Sequence, residues 1–112
     1  MTVSSIITIA RRFLQDTASP YRWENAELRN DIQLGIRELH KIRPETKYVD
    51  GALTGGVELP ESDSDSIDIE DRFELALAYF TVYMAYLNDN SDTVNAQLAE
   101  SYLSKFNTQA QL

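Results

Sequence analysis

The chain has no cysteine, which excludes a disulfide framework and a thiolate zinc site. No apolar run approaches the roughly 20 residues that a membrane-spanning helix needs, so we expect no membrane partner. The single histidine, His40, has no cysteine or other evident catalytic partner, and we expect it to be structural or solvent-exposed. Gly55-Gly56 is not followed by Gly-Lys-Ser/Thr, which excludes a phosphate-binding loop. We therefore predict neither enzymatic activity nor a cofactor.

What is present has the composition of one small globular domain over residues 1–112. Hydrophobic residues make up 43% of the positions and charged residues 25%, which are ordinary values for a folded chain. The apolar stretch at residues 3–10 is short, and its basic residues, Arg11 and Arg12, follow it rather than precede it. This order is wrong for a secretory signal, so we expect a protein made in the cytoplasm.

The net charge of -8 is unevenly distributed along the chain. Residues 1–49 hold eight basic and six acidic residues, whereas residues 50–112 hold two basic and twelve acidic ones. Such an asymmetry is typical of molecules with surfaces of opposite potential, which can pack head to tail against their own copies. An acidic surplus that only keeps the chain in solution is an equally good explanation of the charge by itself.

Apolar residues at helical spacing predict an all-α fold, a small four-helix bundle. The first helix is capped by Thr2 and stops near Asp16, before a turn-rich segment. The second starts at Glu24 or Asn25, with Asn25 as a good cap, and ends before Pro44. Gly35 lies in its middle, either because a neighbour packs closely or because the helix tolerates it. Trp23 is expected to pack as a plug against Leu28 or the first helix, and the charged residues Arg29, Asp31, Arg37, Glu38 and Lys41 are expected off the apolar stripe.

Residues 45–67 lack helical periodicity, and we expect either a long acidic loop or a short β-hairpin with strands at 46–49 and 57–59. The third helix is predicted from about residue 68 to 87. It is apolar nearly all round, so it is either the central helix or shared with a partner. Ser91 or Asp92 caps a fourth helix, which turns Val94, Leu98, Ala99, Tyr102 and Phe106 inward. Residues 107–112 are expected to fray unless something binds them.

The acidic loop begins like a calcium site at Asp63 and Asp65, but the following positions break the EF-hand pattern. We therefore predict no metal site there. On a polar loop nothing would raise the pKa of one carboxyl group for acid catalysis, which again argues against an enzyme.

Two groups of residues are candidates for contacts between subunits or with a partner. Arg29 and Arg37 are too widely spaced, and too interleaved with acidic residues, for a nucleic-acid stripe, so we expect salt bridges within the subunit or across a subunit boundary. Tyr79, Tyr83 and Tyr86 lie along one side of the third helix, as at an interface or, slightly favoured, at the rim of the chain's own core.

A pattern of short segments runs through most of the chain. In the first half it consists of Phe13-Leu14-Gln15-Asp16, Tyr21-Arg22-Trp23, Ala26-Glu27-Leu28, Ile36-Arg37-Glu38-Leu39 and Arg43-Pro44-Glu45. In the second half it consists of Leu77-Ala78-Tyr79-Phe80, Asn88-Asp89-Asn90-Ser91, and Asn95, Leu98, Ala99, Tyr102, Lys105 and Phe106 at their spacing. This pattern resembles the small head-tail adaptor proteins of tailed phages, also called connector or head-completion proteins. The likeness covers most of the chain, and the acidic insert at 58–68 is its least typical part.

The resemblance implies a helical bundle that forms a homo-oligomeric ring, commonly of twelve subunits, docked under the portal protein in the neck of the virion. The ring would extend the channel for the passing genomic DNA without binding it sequence-specifically, and would be a platform for a stopper, tail or nozzle protein. A terminal arm is a candidate portal contact: Asn107, Thr108, Gln109, Ala110, Gln111 and Leu112. Acidic loop residues are candidates to line the channel or face the tail: Glu58, Glu61, Asp63, Asp65 and Asp68.

An alternative from another class is a small acidic protein-binding regulator, such as an anti-repressor or a DNA mimic. Its acidic surplus would then serve a host protein rather than a channel. An adaptor should form rings alone or on a portal, whereas a regulator should stay monomeric or dimeric.

Overall fold

The computed structural model describes residues 1–47, 61–89 and 93–112, and in these the fold is all-α, as predicted. Four helices run over α1 (Val3–Leu14), α2 (Asn25–Ile42), α3 (Glu74–Asn88) and α4 (Thr93–Ala110). Short 3-10 turns lie at Pro44–Lys47 and Asp71–Phe73. The described residues contain no β-strand, only one isolated antiparallel bridge between Thr2 and Ser66. The fold is thus a small four-helix one.

The first helix begins and ends with well-defined caps. The Thr2 side chain accepts from the Ser5 amide and the Ser5 side chain accepts from the Thr2 amide, a complete capping box that confirms Thr2 as the cap. At the other end Gln15 adopts a left-handed conformation with φ 56°. Because this conformation cannot continue a helix, α1 ends at Leu14, close to the predicted stop.

The second helix starts where the sequence predicts, but with a different cap. Glu24 is the N-cap and makes no side-chain cap bond, so the prediction that Asn25 caps the helix is wrong. The Asn25 side chain instead contacts Arg11 and Asp63. At the far end, Pro44 begins the 3-10 turn, where Thr46 Oγ1 and His40 Nδ1 are hydrogen-bonded at 2.7 Å. Burial, with Lys47 nearby, lowers the pKa of His40, which therefore stays neutral at neutral pH. Its role is the structural hydrogen bond with Thr46.

The third helix is the central one, since it packs on α1, α2 and α4. Its buried residues lie on several sides, among them Leu77, Phe80 and Val82, which explains why it is apolar nearly all round. Gly35 of α2 is buried against it. A methyl group at Gly35 would lie 3.0 Å from Phe80 Cδ1, so close helix packing is the reason for a glycine there.

Trp23 is buried in the same core cluster as Leu28 and the apolar residues of α1, and it also packs against the central helix. Its Nε1 donates to the Ala85 carbonyl oxygen at 3.3 Å, and its ring meets that of Tyr86 edge-on at 6.0 Å. The segment between α1 and α2 is therefore anchored to the C-terminal part of α3.

Two predicted boundaries around the acidic segment are wrong. The third helix begins at Glu74, not near residue 68, because Ile67 and Ile69 alternate into the core and need an extended backbone. Thr46 and Lys47 belong to a 3-10 turn rather than to a strand. The rest of the predicted hairpin, and the predicted caps Ser91 and Asp92, lie outside the described residues.

The fourth helix is longer than predicted, and of its predicted inward residues Leu98 is exposed. It continues to Ala110, so residues 107–110 are helical, and Arg43 binds this end as the exception to the predicted fraying requires. Ala99, Phe106 and Ala110 are buried, but Leu98 is 36% exposed and does not face inward. The Ala110 position is fixed by Arg43, whose Nε donates to the Ala110 carbonyl oxygen at 2.7 Å.

Candidate functional site

The acidic segment, residues 61–74, is held to the start of α1 by backbone hydrogen bonds. The Val3 and Ser4 amides donate to the carbonyl oxygens of Asp65 and Asp63 at 3.1 and 2.8 Å. The Ile67 amide donates to the Met1 carbonyl oxygen at 3.0 Å. The bonds from Val3 and Ser4 satisfy amides that the first turn of any helix leaves without an intrahelical partner. The segment is therefore an integral part of the fold rather than a solvated loop.

Asp63 joins this segment to α2. Its Oδ1 accepts from Arg29 Nη1 at 2.7 Å and its Oδ2 accepts from Asn25 Nδ2 at 3.1 Å. Of the two arginines expected in salt bridges, Arg29 thus forms one within the chain, with Asp63, whose side chain remains 36% exposed. Asp65 is also engaged, since its Oδ2 accepts from the amides of Glu61 and Ser62 at 3.0 Å.

The most exposed carboxylates of the acidic segment are not those of Asp63 and Asp65. Glu61 and Asp68, both predicted, are exposed, and Glu70 and Asp71 are exposed beside them. Residues 61–74 hold seven acidic residues against one arginine, a net charge of -6. Glu58, the fifth predicted acidic residue, lies outside the described residues. The result is an acidic surface on a backbone whose position is fixed.

Behind this surface lies a buried ion pair that the sequence analysis missed. Arg11 is buried, and its Nη1 donates to Asp16 Oδ2 at 2.8 Å. Its Nη2 donates to the Trp23 carbonyl oxygen at 2.9 Å and also bonds Asn25 Oδ1. The Tyr21 ring lies 3.8 Å from the guanidinium carbon. With its donors used in this way, Arg11 organises the α1–α2 connection and is not a free ligand-binding group.

The predicted tyrosine group packs within the chain. Tyr79 lies between Phe13 and Tyr102, with ring centroids at 5.3 and 5.9 Å, and Tyr86 lies 6.0 Å from Tyr102. Burial raises the pKa of Tyr86 and of Tyr102. Tyr83 meets Phe80 at 5.4 Å. All three predicted tyrosines are only partly buried, so they form the rim of the chain's own core, the interpretation that the sequence slightly favours.

The predicted C-terminal arm is largely a docked helix end. Arg43 Nη2 donates to the Gln111 carbonyl oxygen at 2.5 Å, in addition to its bond to Ala110. Asn107, Thr108 and Gln111 are exposed, Gln109 is half-buried, and Leu112 is 73% exposed. Any partner at this end therefore meets the outer side of a helical turn.

Asp31 is the most unusual ionisable group in the described part of the chain. Its position in the sequence predicts a place off the apolar stripe of α2, but it is only 5% exposed. It makes no hydrogen bond or ion pair with the described residues. Burial, with repulsion from Glu27 one turn earlier, raises the pKa of Asp31 from its usual 3.8 to about 7. Nothing in the sequence around Asp31 indicates that its carboxyl group is buried and has a raised pKa.

Replacing Asp31 by asparagine should remove a pH dependence of stability. In the folded chain the carboxyl group holds its proton to about pH 7, whereas the unfolded chain loses it near pH 4. The stability that the protonated form provides is therefore present below about pH 4 and is lost as the pH rises through about 7. As the pH rises from about 5 to about 8, the free energy of unfolding of Asp31→Asn should increase by about 2 kcal/mol relative to that of the original chain, as measured by urea unfolding. A difference that does not change with pH would contradict this.

Within residues 1–47, 61–89 and 93–112, no three histidine or carboxylate side chains converge as metal ligands would. In the same residues, no helix is both long and apolar enough to cross a bilayer. The strongest constellation is therefore the fixed acidic surface together with the polar network behind it.

Comparisons with protein-family models, with curated proteins and with solved structures find no match for this chain.

Proposed function

We propose that this chain is a virion structural protein, a head-to-tail adaptor that forms a ring under the portal of a tailed phage. The observation that carries the proposal is the acidic surface at residues 61–74, whose backbone is held at the start of α1. In such a ring the surface would line or flank the channel, and the opposite end of the subunit would meet the portal.

The electrostatics of this surface suit a passage for DNA. A wall that binds phosphates through many cations would retain the duplex, whereas fixed carboxylates repel it. Because the segment is held by backbone bonds and by the Arg29–Asp63 pair, its exposed carboxylates cannot fold away when DNA passes. A repulsive lining of this kind needs no sequence-specific contact.

Several residues in the segments that resemble head-tail adaptors stabilise this fold, and this supports the same proposal. Trp23 anchors the α1–α2 connection to α3, and Arg43 holds the end of α4. Phe80 and Phe106 meet at 5.0 Å between α3 and α4. The resembling segments therefore make up a compact scaffold, as expected for a part that serves by its shape in an assembly.

The C-terminal turn of α4 is the proposed contact with the portal. Since Arg43 fixes Ala110 and Gln111, the contact would use a preformed helix end and the exposed Leu112. A preformed end loses less conformational entropy on binding than a free arm.

The acidic surface also favours one second candidate, an acidic regulator that imitates DNA. Carboxylates fixed on a rigid backbone can imitate the phosphates of a duplex toward a basic host protein. The two candidates differ in what they assemble with, and this difference gives the test.

The test is to measure the mass of the purified protein alone and in a mixture with a phage portal protein. We expect a closed ring, either alone or on the portal. The variant Glu61→Gln/Asp68→Asn removes two exposed charges and should still assemble, but its ring should retain DNA more strongly at low salt. If the chain stays monomeric or dimeric in the presence of the portal protein and binds a DNA-binding protein instead, the regulator proposal replaces the adaptor proposal.

A further inference from the structure

The outward side of α2 carries an exposed leucine flanked by charges in a symmetrical order. Leu34 is 39% exposed, one of five large apolar residues left exposed in the described part of the chain. Positions three, four and seven residues away from it lie on the same side of a helix. They are Glu27, Asn30 and Asp31 before Leu34, and Arg37, Glu38 and Lys41 after it, and of these Asp31 lies at the inner edge and is only 5% exposed. We call this set the Leu34 face.

The signs of the charges on the Leu34 face reverse across its centre. Asp31 lies three residues before Leu34 and Arg37 lies three residues after it. Glu27 lies seven residues before it and Lys41 seven residues after it. A helix whose charges mirror each other in this way is complementary to an antiparallel copy of itself.

We propose that the Leu34 face is a contact with a second copy of this chain, in which the two α2 helices pack antiparallel about a twofold axis at Leu34. Each residue then faces the one equally far from Leu34 in the other copy. Asp31 lies opposite Arg37 of the second copy, and Glu27 opposite Lys41 of the second copy. Because the contact is twofold, each pair occurs twice.

The state of these groups in the single chain supports this contact. Arg37 is exposed and makes no ion pair with the described residues, and Asp31 is buried without one. Burying a charge is costly unless it is paired, so a cation from a second copy would relieve Asp31. Among the residues that the structure describes, Lys41 pairs only with Glu38, at 2.9 Å, and both side chains are well exposed, so this bond is easily exchanged.

The size and symmetry of the contact define what it can do. From Glu27 to Lys41 the face covers about four helical turns, roughly 21 Å, which is small beside a standard interface of about 800 Å² on each partner. We therefore expect a weak, concentration-dependent dimer. A twofold contact closes at two copies, so it is not the seam of a ring and does not depend on the adaptor proposal.

The test exchanges charges across the twofold axis and follows mass by sedimentation over a range of concentrations. In a dimer of Glu27→Lys, two pairs of positive charges face each other, and in a dimer of Lys41→Glu two pairs of negative charges do. Each variant alone should therefore dimerise roughly tenfold more weakly than the original chain. Mixing the two variants should restore dimers that contain one chain of each, because both pairs are then of opposite sign. The double variant should again dimerise with itself. Both residues are exposed, so folding, checked by circular dichroism, should be unchanged.

The matched control is Arg12→Glu, which changes the net charge as much as Lys41→Glu but lies on α1, on another helix. It should leave dimerisation unchanged. The proposal is overturned by an original chain that stays monomeric at the highest concentration. It is also overturned if both single variants dimerise like the original, if their mixture forms no mixed dimers, or if Arg12→Glu weakens the dimer equally.

Discussion

Replacing Asp16 by alanine should destabilise the protein by about 3–5 kcal/mol, because it leaves the buried Arg11 without its counter-charge. The two side chains form a 2.8 Å ion pair and are both buried. Asp16 also accepts from the backbone amides of Arg22 and Trp23, at 2.9 and 3.1 Å, so the substitution leaves these donors unsatisfied as well. Urea unfolding should show the loss as a lower midpoint with a similar slope.

Two further variants separate the buried charge from a general effect of mutation at this end of α1. Arg12→Ala, at the exposed neighbouring position, should change stability by no more than about 0.5 kcal/mol. Arg11→Met in the Asp16→Ala background removes the unpaired charge and should recover part of the loss. Recovery should be incomplete, since the Trp23 carbonyl oxygen then lacks its donor. If Asp16→Ala alone cost less than about 1 kcal/mol, the pair would not be the organising contact described above.

Replacing Gly35 by leucine should cost about 3 kcal/mol, by forcing α2 away from α3. Even the first added carbon would lie 3.0 Å from the Phe80 ring, and the remaining carbons have no space in a buried helix seam. Thermal unfolding should show a clear drop in the midpoint, with the helical signal retained below it.

Gly35→Ala is the graded comparison for this seam. It gains about 1 kcal/mol of helix propensity and needs the Phe80 ring to yield by only a few tenths of an ångström, so its effect should be far smaller. Shortening the facing side chain in Gly35→Leu/Phe80→Leu should return part of the stability, which a purely local helix effect would not do. A Gly35→Leu chain as stable as the original would mean that the two helices do not meet closely here.

The sequence predicts best those features that depend on neighbours along the chain. The Thr2 cap, the end of α2 before Pro44 and the central place of the all-round apolar helix follow from local chemistry and periodicity. The close contact at Gly35 is one of the two explanations that the sequence leaves open, and it is confirmed by Phe80.

The sequence predicts least well those features that depend on partners far away in the chain. Arg11 is buried because Asp16, Trp23 and Asn25 surround it, and Arg29 is engaged because Asp63 lies 34 residues further on. Both look like surface arginines in a helix. The acidic segment looks like a solvated loop because its anchoring uses backbone atoms, which carry no sequence signal. Its buried isoleucines were the available clue, since Ile67 and Ile69 alternate with polar neighbours.

The bonds from Val3 and Ser4 to the carbonyl oxygens of Asp65 and Asp63 have a consequence for synthesis of the chain on the ribosome. Helix α1 must wait until residues 63–67 have left the ribosome before these amides find their acceptors. Because so distant a closure comes late, α1 has to remain unfinished until that part of the chain has been translated. Ordering of this helix should therefore mark the completion of folding rather than its beginning.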